Sequence, residues 1–217
     1  MIISDKHKFI YFKAKKVAGT STEIILSQFC DSNDIVTPIS KNHGEQNYQH
    51  QPRNYLANDG ENKIFWNHVS PREIKSKIGE EKFSSYFRFI TIRNPYDRAV
   101  SWYCWKNLDR CKCCDRLKQT FKEFIMLDGL AKLYPFSWWA FLDGQYILDD
   151  YIKFENLEED TIRIADKWFD IRNMPYPKTK YNTREVGIPY QEYYDQHTFD
   201  VVSEKYKKDI DFFGYSF

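Results

Sequence analysis

The sequence predicts an α/β fold in which helices cover both faces of a mainly parallel sheet. Short apolar segments of strand length alternate along the chain with amphipathic segments of helix length, a pattern typical of parallel strands joined by crossover helices. The 217 residues are 42% apolar and 29% charged, which is typical of a globular protein and excludes a disordered chain. A chain of this length has the size of one ordinary domain, so residues 1–217 are expected to form a single domain.

The individual elements follow from periodicity and from capping residues. Ser70, Pro71 and Glu73 stand in the order of an N-cap, a first-turn proline and a capping-box glutamate, which predicts a helix start. The other predicted helices are Thr20–Phe29, Pro95–Trp105, Leu157–Phe169 and Phe199–Phe212. The predicted strands are His7–Phe12, Lys63–Trp66, Tyr86–Ile92 and Tyr151–Phe154. The polar segment Ser40–Asn62 is predicted to be a long surface loop, and long loops in compact domains are commonly functional.

The charge balance excludes two classes of partner. The chain holds 32 Lys and Arg against 31 Asp and Glu, so bulk charge attracts neither nucleic acid nor an anionic membrane surface. No apolar run approaches the roughly 20 residues that span a bilayer. The first residues lack the apolar segment of a signal peptide, and the sequence therefore predicts a cytoplasmic protein without a membrane span. An anion that binds this protein must be held by a local group of residues.

The cysteines are unevenly distributed. Four of the five fall in one short segment, at Cys104, Cys111, Cys113 and Cys114. Without a signal peptide we interpret them as reduced thiols. Their spacing lacks the two separated pairs of a typical zinc module, so we expect no metal, and a zinc site in this cluster is the alternative.

A first anion-binding turn is predicted at Lys15–Ser21, between the first strand and the first helix. A helix N-terminus offers N–H groups and the positive end of its dipole, which suits a phosphate or a sulfate. Gly19 lets the backbone approach such a group, and Lys16 adds a positive charge. The turn lacks the Gly-x4-Gly-Lys-Ser/Thr pattern of a Walker A loop. An ordinary strand–helix turn capped by Thr20 or Ser21 is the alternative.

A second turn is predicted at Arg93–Ser101. Arg93 ends an apolar strand, where a charge is costly without a partner, and Pro95 opens the following helix. Arg93 and Ser101 could converge on one phosphate, with the guanidinium acting as a bidentate donor. The alternative is a structural arginine at a strand end. Asp97 and Arg98 are interpreted as helix-surface residues or as a structural ion pair.

Together, the two turns resemble the nucleotide-binding signatures of sulfotransferases that use 3′-phosphoadenosine 5′-phosphosulfate (PAPS). KVAGTS, residues 16–21, resembles the loop that binds the 5′-phosphosulfate, and RNPYDRAVS, residues 93–101, resembles the element that binds the 3′-phosphate. His68–Ser70 precedes the second turn as in carbohydrate sulfotransferases. Ile152–Leu157 resembles the strand and FENL segment of the family, and Tyr206–Tyr215 resembles its closing helix and FGY terminus.

The resemblance implies a P-loop-like three-layer α/β/α sandwich and transfer of a sulfuryl group from PAPS to an acceptor hydroxyl or amine without a metal. It favours a carbohydrate hydroxyl as acceptor, while a phenol, a peptide tyrosine and a small metabolite stay open. Lys16 would neutralise the bridging oxygen as the 5′-phosphate leaves. The nucleotide-binding residues implied are Lys16, Val17, Ala18, Gly19, Thr20, Ser21, Arg93, Ser101 and Arg184. A P-loop-type small-molecule kinase and a non-catalytic nucleotide-binding module are the alternatives.

An acceptor hydroxyl must lose a proton, and histidine is the side chain best suited to accept it near neutral pH. By resemblance to the 2-O-sulfotransferase-like branch, His68 is the expected base, with an ordinary pKa of about 6–7. That branch carries a His-x-His pair, and Trp66 stands at its first position here. The alternative is a loop histidine that caps the next helix. The other candidate bases are Glu23, Glu45, His43 and His50, while His7 and His197 are interpreted as structural.

Overall fold

The computed structural model of the chain describes residues 1–37, 65–107, 119–169 and 188–217. It divides into two compact units, Met1–Ile92 with Trp138–Lys178 and Arg93–Ser137 with Thr179–Phe217. The single domain over residues 1–217 stays a prediction, and each unit is described by itself below.

The described strands are β1 Ile2–Ser4, β2 Phe9–Phe12, β3 Ile35–Val36, β4 Phe87–Ile92, β5 Phe141–Leu142, β6 Gln145–Tyr146 and β7 Asp150–Lys153. In the described part of the first unit, five of them form one sheet in the order β3-β1-β2-β4-β7. β2 pairs with β4 and β4 with β7 in parallel, whereas β1 is antiparallel to β2 and β3. The mainly parallel central sheet is confirmed, and β5 and β6 form a separate hairpin.

Helices of the first unit cover both faces of this sheet. The described α-helices of the two units together are α1 Gly19–Ser27, α2 Pro71–Ile78, α3 Glu80–Ser85, α4 Pro95–Asn107, α5 Phe121–Met126, α6 Ser137–Ala140, α7 Leu157–Phe169, α8 Gln196–Lys205 and α9 Lys207–Phe213. On one face, residues of β2 and β4 share a buried core with α1 and α7, and Phe9 lies 4.7 Å from Phe169 between ring centroids. On the other face, Phe12 of β2 lies 6.4 Å from Phe83 of α3. These contacts give the predicted three-layer α/β/α arrangement.

Several predicted elements agree with the structure. Ser70 caps α2 in a complete capping box with Glu73, and Pro71 is the first helical residue. The bounds of α7 coincide with the predicted Leu157–Phe169. β1 and β3 were not predicted, because strands of three and two residues are too short to show an alternation. Of the predicted strand Lys63–Trp66, only residues 65 and 66 are described, and they belong to no strand.

The second unit is a helical cluster around α4, α5 and α8, with Val100, Phe124 and Val202 in its core. The predicted single C-terminal helix over Phe199–Phe212 is wrong, because the chain forms α8 and α9 with a break at Tyr206. The backbone of Tyr206 leaves the helical region at φ −110° and ψ 15°, and its buried hydroxyl donates to the Leu133 carbonyl at 2.7 Å. Among the described helices, none combines the length and the apolar character needed to cross a membrane.

Candidate active site

The first turn runs from the end of β2 to the start of α1. Lys16 and Ala18 have φ values of 64° and 57°, while the residues on either side of them have negative φ. Left-handed conformations cost about 1–2 kcal/mol in residues other than glycine, and such residues concentrate at functional sites. A backbone that alternates in this way gathers successive N–H groups into a concavity that suits an anion.

The start of α1 has the features of an anion-binding helix end. Its N-cap is Ala18, whose side chain makes no capping hydrogen bond, and its first turn contains no acidic residue. The first bond of the helical ladder runs from the Thr22 N–H to the Ala18 carbonyl at 3.2 Å. The helix's own ladder therefore does not use the N–H groups of residues 19–21. The alternative turn capped by Thr20 or Ser21 is not what the structure shows.

Beneath this turn lies a buried ion pair between Lys13 and Glu23. The Lys13 ammonium contacts the Glu23 carboxylate, and it donates a second hydrogen bond to Asn67 Oδ1 at 3.3 Å. The Thr37 hydroxyl lies 2.8 Å from both Glu23 Oε1 and Asn67 Oδ1, and its single proton serves one of them at a time. The Met1 amino group also contacts Glu23.

The charges in this network can be assigned from their surroundings. Burial alone would raise the pKa of the Glu23 carboxyl, but the positive charge of Lys13 and the hydrogen bonds outweigh it and hold that pKa below its usual value. Burial lowers the pKa of the Met1 amino group to about 5. Glu23 is therefore an ionised partner of Lys13 at neutral pH. It is a poor candidate base, because both its carboxylate oxygens are engaged.

His68 is attached to the same segment. Its Nδ1 lies 2.7 Å from the backbone carbonyl oxygen of Lys13. A carbonyl can only accept a hydrogen bond, so Nδ1 carries the proton and Nε2 carries the lone pair. The alternative of a loop histidine that caps the next helix does not describe this contact, since Ser70 caps α2.

The surroundings of His68 keep the imidazole neutral. Burial lowers the pKa of His68 from 6.5 to about 4, and the positive charges of Lys13, the Met1 amino group and Lys15 act in the same direction. The hydrogen bond to the Lys13 carbonyl acts in the opposite direction and is outweighed. His68 thus has a base-competent Nε2 at neutral pH, and the ordinary pKa of about 6–7 expected from the sequence does not hold.

The second turn belongs to the second unit. Arg93 donates through Nε to Asp97 Oδ2 at 2.8 Å, and its Nη2 lies 2.7 Å from the same oxygen. Asn94 donates to the carbonyl of Ser216 at 2.7 Å and accepts from the Tyr96 N–H at 3.0 Å. Side-chain hydrogen bonds of Arg93 and Asn94 therefore hold this turn in place.

Two further residues of this element, Arg98 and Ser101, are buried in α4. The Arg98 guanidinium lies 4.0 Å from the centroid of the Phe136 ring, and burial lowers the pKa of Arg98 to about 10. Arg98 is therefore a core residue, and its interpretation as a helix-surface residue is wrong. The predicted phosphate ligand Ser101 is 7% exposed.

Several candidate residues lie outside the described residues, namely Arg184, His43, Glu45, His50, Cys111, Cys113 and Cys114. Within the described part of the chain, no group of three or more His, Cys, Asp or Glu residues is arranged to hold a metal ion. The expectation of a metal-free enzyme stays a prediction, because most of the cysteine cluster is not described. Of the described cysteines, Cys30 is buried and Cys104 is half-buried.

Comparison with known proteins decides the class of this site. The model of a family described as the sulfotransferase family matches residues 1–216. The chain belongs to the sulfotransferase family. A further relative is a protein of Archaeoglobus fulgidus described as uncharacterized, which is 28% identical over 97 residues, or 43% of this chain and 77% of the relative. No solved structure gave a match.

This sulfotransferase is an enzyme that uses PAPS as its sulfuryl donor, and its fold is the P-loop-like fold of the family. The first turn has features that suit an anion: it combines alternating φ values, a helix start without acidic residues and the cationic Lys16. The family match does not identify a carbohydrate or 2-O branch. Sequence reasoning missed Lys13, Thr37 and Asn67. The available signal was a pair of opposite charges, with Lys13 directly after the predicted strand and Glu23 within the predicted helix.

Proposed function

We propose that this sulfotransferase moves the sulfuryl group of PAPS to a carbohydrate hydroxyl by metal-free in-line displacement, with His68 as the general base. The observation that carries the proposal is the hydrogen bond from His68 Nδ1 to the Lys13 carbonyl at 2.7 Å. It leaves Nε2 without a proton, on a side chain fastened to the segment that leads into the first turn. A neutral imidazole held in one tautomer is suited to take a proton.

The first turn supports the assignment of the phosphosulfate. We propose that the backbone amides of residues 19–21 and the Lys16 side chain hold its charged oxygens, together with the backbone of Val17 and Ala18. These donors act by stabilising charge that is present in the ground state and grows in the transition state. Lys16 would neutralise the charge that develops on the phosphate oxygen as the sulfuryl group departs.

For the rest of the nucleotide, we propose Arg93 and Ser101 as ligands of the 3′-phosphate and Arg184 as a further contact. The hydrogen bonds from Arg93 to Asp97 support this role, because they hold a planar guanidinium in one orientation. A preoriented guanidinium loses less side-chain freedom when it binds a phosphate.

In the proposed chemical step, the protein takes part in one proton transfer. When bound, PAPS supplies the sulfuryl group, and its S–O bond to the 5′-phosphate breaks to give 3′,5′-ADP. His68 Nε2 accepts the proton of the acceptor hydroxyl, whose oxygen keeps the electron pair and forms the new S–O bond. Because the step is mainly positioning and charge stabilisation, the chain's own donors suffice for it.

A carbohydrate acceptor is supported by the sequence resemblance and by Trp66. This side chain is 38% exposed, and it stands two residues before His68. An exposed aromatic ring two residues from the base in the sequence offers an apolar surface of the kind on which a sugar ring packs, and the Lys77 ammonium lies 5.9 Å from the centroid of this ring. The proposed cytoplasmic location rests on the sequence alone.

The proposal is tested by a transfer assay with sulfur-labelled PAPS and four acceptors: an unsulfated glycosaminoglycan, a disaccharide, p-nitrophenol and a tyrosine peptide. We expect label in the carbohydrate products, in the presence of a metal chelator. Label only in the phenol or the peptide would leave sulfuryl transfer intact and overturn the carbohydrate acceptor. Thermal unfolding supplies a matched test, since 3′,5′-ADP without metal should raise Tm, and ATP with Mg²⁺ should not.

A further inference from the structure

A ring of contacts fixes the position of His68 relative to the first turn. Its first contact is the hydrogen bond from His68 Nδ1 to the Lys13 carbonyl, and its second is the hydrogen bond from the Lys13 ammonium to Asn67 Oδ1. Asn67 and His68 are neighbours in the chain, so the two contacts join the same two segments. Two hydrogen bonds between a pair of segments fix both their distance and their relative orientation.

We propose that Asn67, Lys13 and Glu23 are positioning residues that hold His68 as the Nδ1–H tautomer, with Nε2 available as the base. The proposal rests on the proposed function for its catalytic meaning. None of the three side chains is required to touch the donor or the acceptor. Their effect on turnover passes through the orientation and the protonation of the imidazole.

The buried ion pair between Lys13 and Glu23 holds the Lys13 side of this ring in place. Glu23 is fully buried and Lys13 is 5% exposed, so neither charge is solvated by water. A buried ion pair adds little net stability, because desolvation of both charges offsets their attraction. The position of the ion pair is therefore better explained by the contact between Lys13 and Asn67 that it supports. Glu23 fixes the Lys13 ammonium, and the fixed ammonium in turn orients Asn67 in the turn before α2.

Asn67 is the element of the ring that can be changed with the least disturbance. An ammonium can only donate, so the amide oxygen of Asn67 is the atom that faces Lys13. The same oxygen lies 2.8 Å from the Thr37 hydroxyl. An Asn67→Ala variant removes the second contact of the ring and leaves the Lys13–Glu23 pair and the Lys13 carbonyl in place.

The test uses ¹⁵N-histidine NMR of the full chain without ligand, with His68 assigned from the signals lost in His68→Ala. In the wild type we expect a protonated Nδ1 and an unprotonated Nε2. In Asn67→Ala we expect exchange toward the Nε2–H tautomer that a solvent-exposed histidine side chain prefers, with a titration midpoint closer to the ordinary value of 6.5. Asn67→Asp keeps an oxygen that accepts from Lys13, so it should restore the wild-type tautomer.

Two further variants separate positioning from folding. Lys13→Met combined with Glu23→Gln removes both charges without leaving one of them alone, and it should shift the tautomer as Asn67→Ala does. Ser4→Ala is the matched control, because it removes a buried hydrogen bond to Asp34 at 2.9 Å in the same sheet. It should lower Tm and leave the His68 signals unchanged. An unchanged tautomer in folded Asn67→Ala would overturn the proposal.

Turnover completes the test, with labelled PAPS and the acceptor found by the transfer assay. Asn67→Ala should lower kcat about 10–100-fold, the range seen when a supporting hydrogen bond is lost, with unchanged affinity for 3′,5′-ADP. In the His68→Ala background it should lower kcat no further, because both changes act on one group. If Asn67→Ala lowered kcat by the same factor in the His68→Ala background as in the wild type, the positioning role would be overturned. Normal turnover of His68→Ala would overturn the base, and the NMR result would still decide the tautomer.

Discussion

The two turns that we propose as anion-binding sites hold their nearby cations in opposite ways. In the first turn, Lys13 is neutralised by Glu23 of another element, and both charges are buried with Asn67 as a third partner. In the second turn, Arg93 is neutralised by Asp97, which lies four residues later in the first turn of α4. The first arrangement is a long-range network next to the proposed base, His68. The second is a local pair that presents a guanidinium, so the two turns should respond differently to the loss of one partner.

The largest expected effect is on kcat, and it separates the proposed base, His68, from the proposed donor ligand of the first turn, Lys16. His68→Ala should lower kcat by about 10²–10⁴-fold, the usual contribution of a general base, with little change in the Kd of 3′,5′-ADP. Lys16→Ala should impair both quantities, because Lys16 is proposed to contact the donor in the ground state and in the transition state. Initial rates with labelled PAPS and titration calorimetry measure the two effects. If the two variants changed kcat and the Kd of 3′,5′-ADP in the same way, the proposed separation between a base at His68 and a donor ligand at Lys16 would be wrong.

The second effect concerns the buried ion pair. Glu23→Gln should lower the free energy of unfolding by about 3–5 kcal/mol, because it leaves the Lys13 ammonium buried without a counter-charge. Asp97→Asn should cost only about 1 kcal/mol, since the pair is local and the amide oxygen still accepts from Arg93. Urea unfolding at pH 7 gives both values. Similar losses in the two variants would show that both turns depend on their ion pairs to the same extent.

This contrast also explains what the sequence could predict. The capping box at Ser70 and the bounds of α7 are local features, which depend on residues a few positions apart. The contact between Lys13 and Asn67 joins residues 54 positions apart, and no pattern in the sequence specifies it.

The break between α8 and α9 has the same origin in distant contacts. The apolar periodicity continues through Tyr206 and predicts one helix. The side chain of this residue bonds to the carbonyl of Leu133, which is 73 residues away, and the backbone leaves the helical region there. The sequence thus predicted the fold class and both turns, while the support beneath His68 and the helix break depended on tertiary contacts.

The third effect tests the second turn. Arg93→Ala should weaken binding of 3′,5′-ADP by about 1.5–3 kcal/mol, the value of a charge-assisted hydrogen bond, because the proposed contact is with the 3′-phosphate. Binding of adenosine 5′-phosphosulfate, which lacks that phosphate, should hardly change. Titration calorimetry with the two ligands provides the comparison. A matched loss for both would assign Arg93 to fold stability and not to the nucleotide.

The smallest expected effect is a displaced pH profile. Burial lowers the pKa of His68 to about 4, with Lys13, the Met1 amino group and Lys15 as the cationic groups that face it. Below its pKa the imidazole is protonated and cannot accept a proton, so kcat/KM should fall as pH drops through about 4. An exposed histidine with an ordinary pKa would lose activity already at about 6–7. At pH 5.5 the two cases differ by roughly tenfold, since a base with a pKa near 6.5 is then about one-tenth unprotonated.

The profile should be measured as kcat/KM for PAPS, which reports ionisations of the free enzyme. The fall in kcat/KM near pH 4 should be absent from the residual activity of His68→Ala. Circular dichroism over the same pH range measures whether the fold stays intact. Glu23 titrates with a pKa below its usual value, so its stabilising charge is present above the ordinary 4.5 and is lost as the pH falls through the folded value. Loss of activity ahead of unfolding therefore assigns the limb to His68. A limb at about 6–7 in the wild type would show that the environment of the first turn does not keep this histidine neutral.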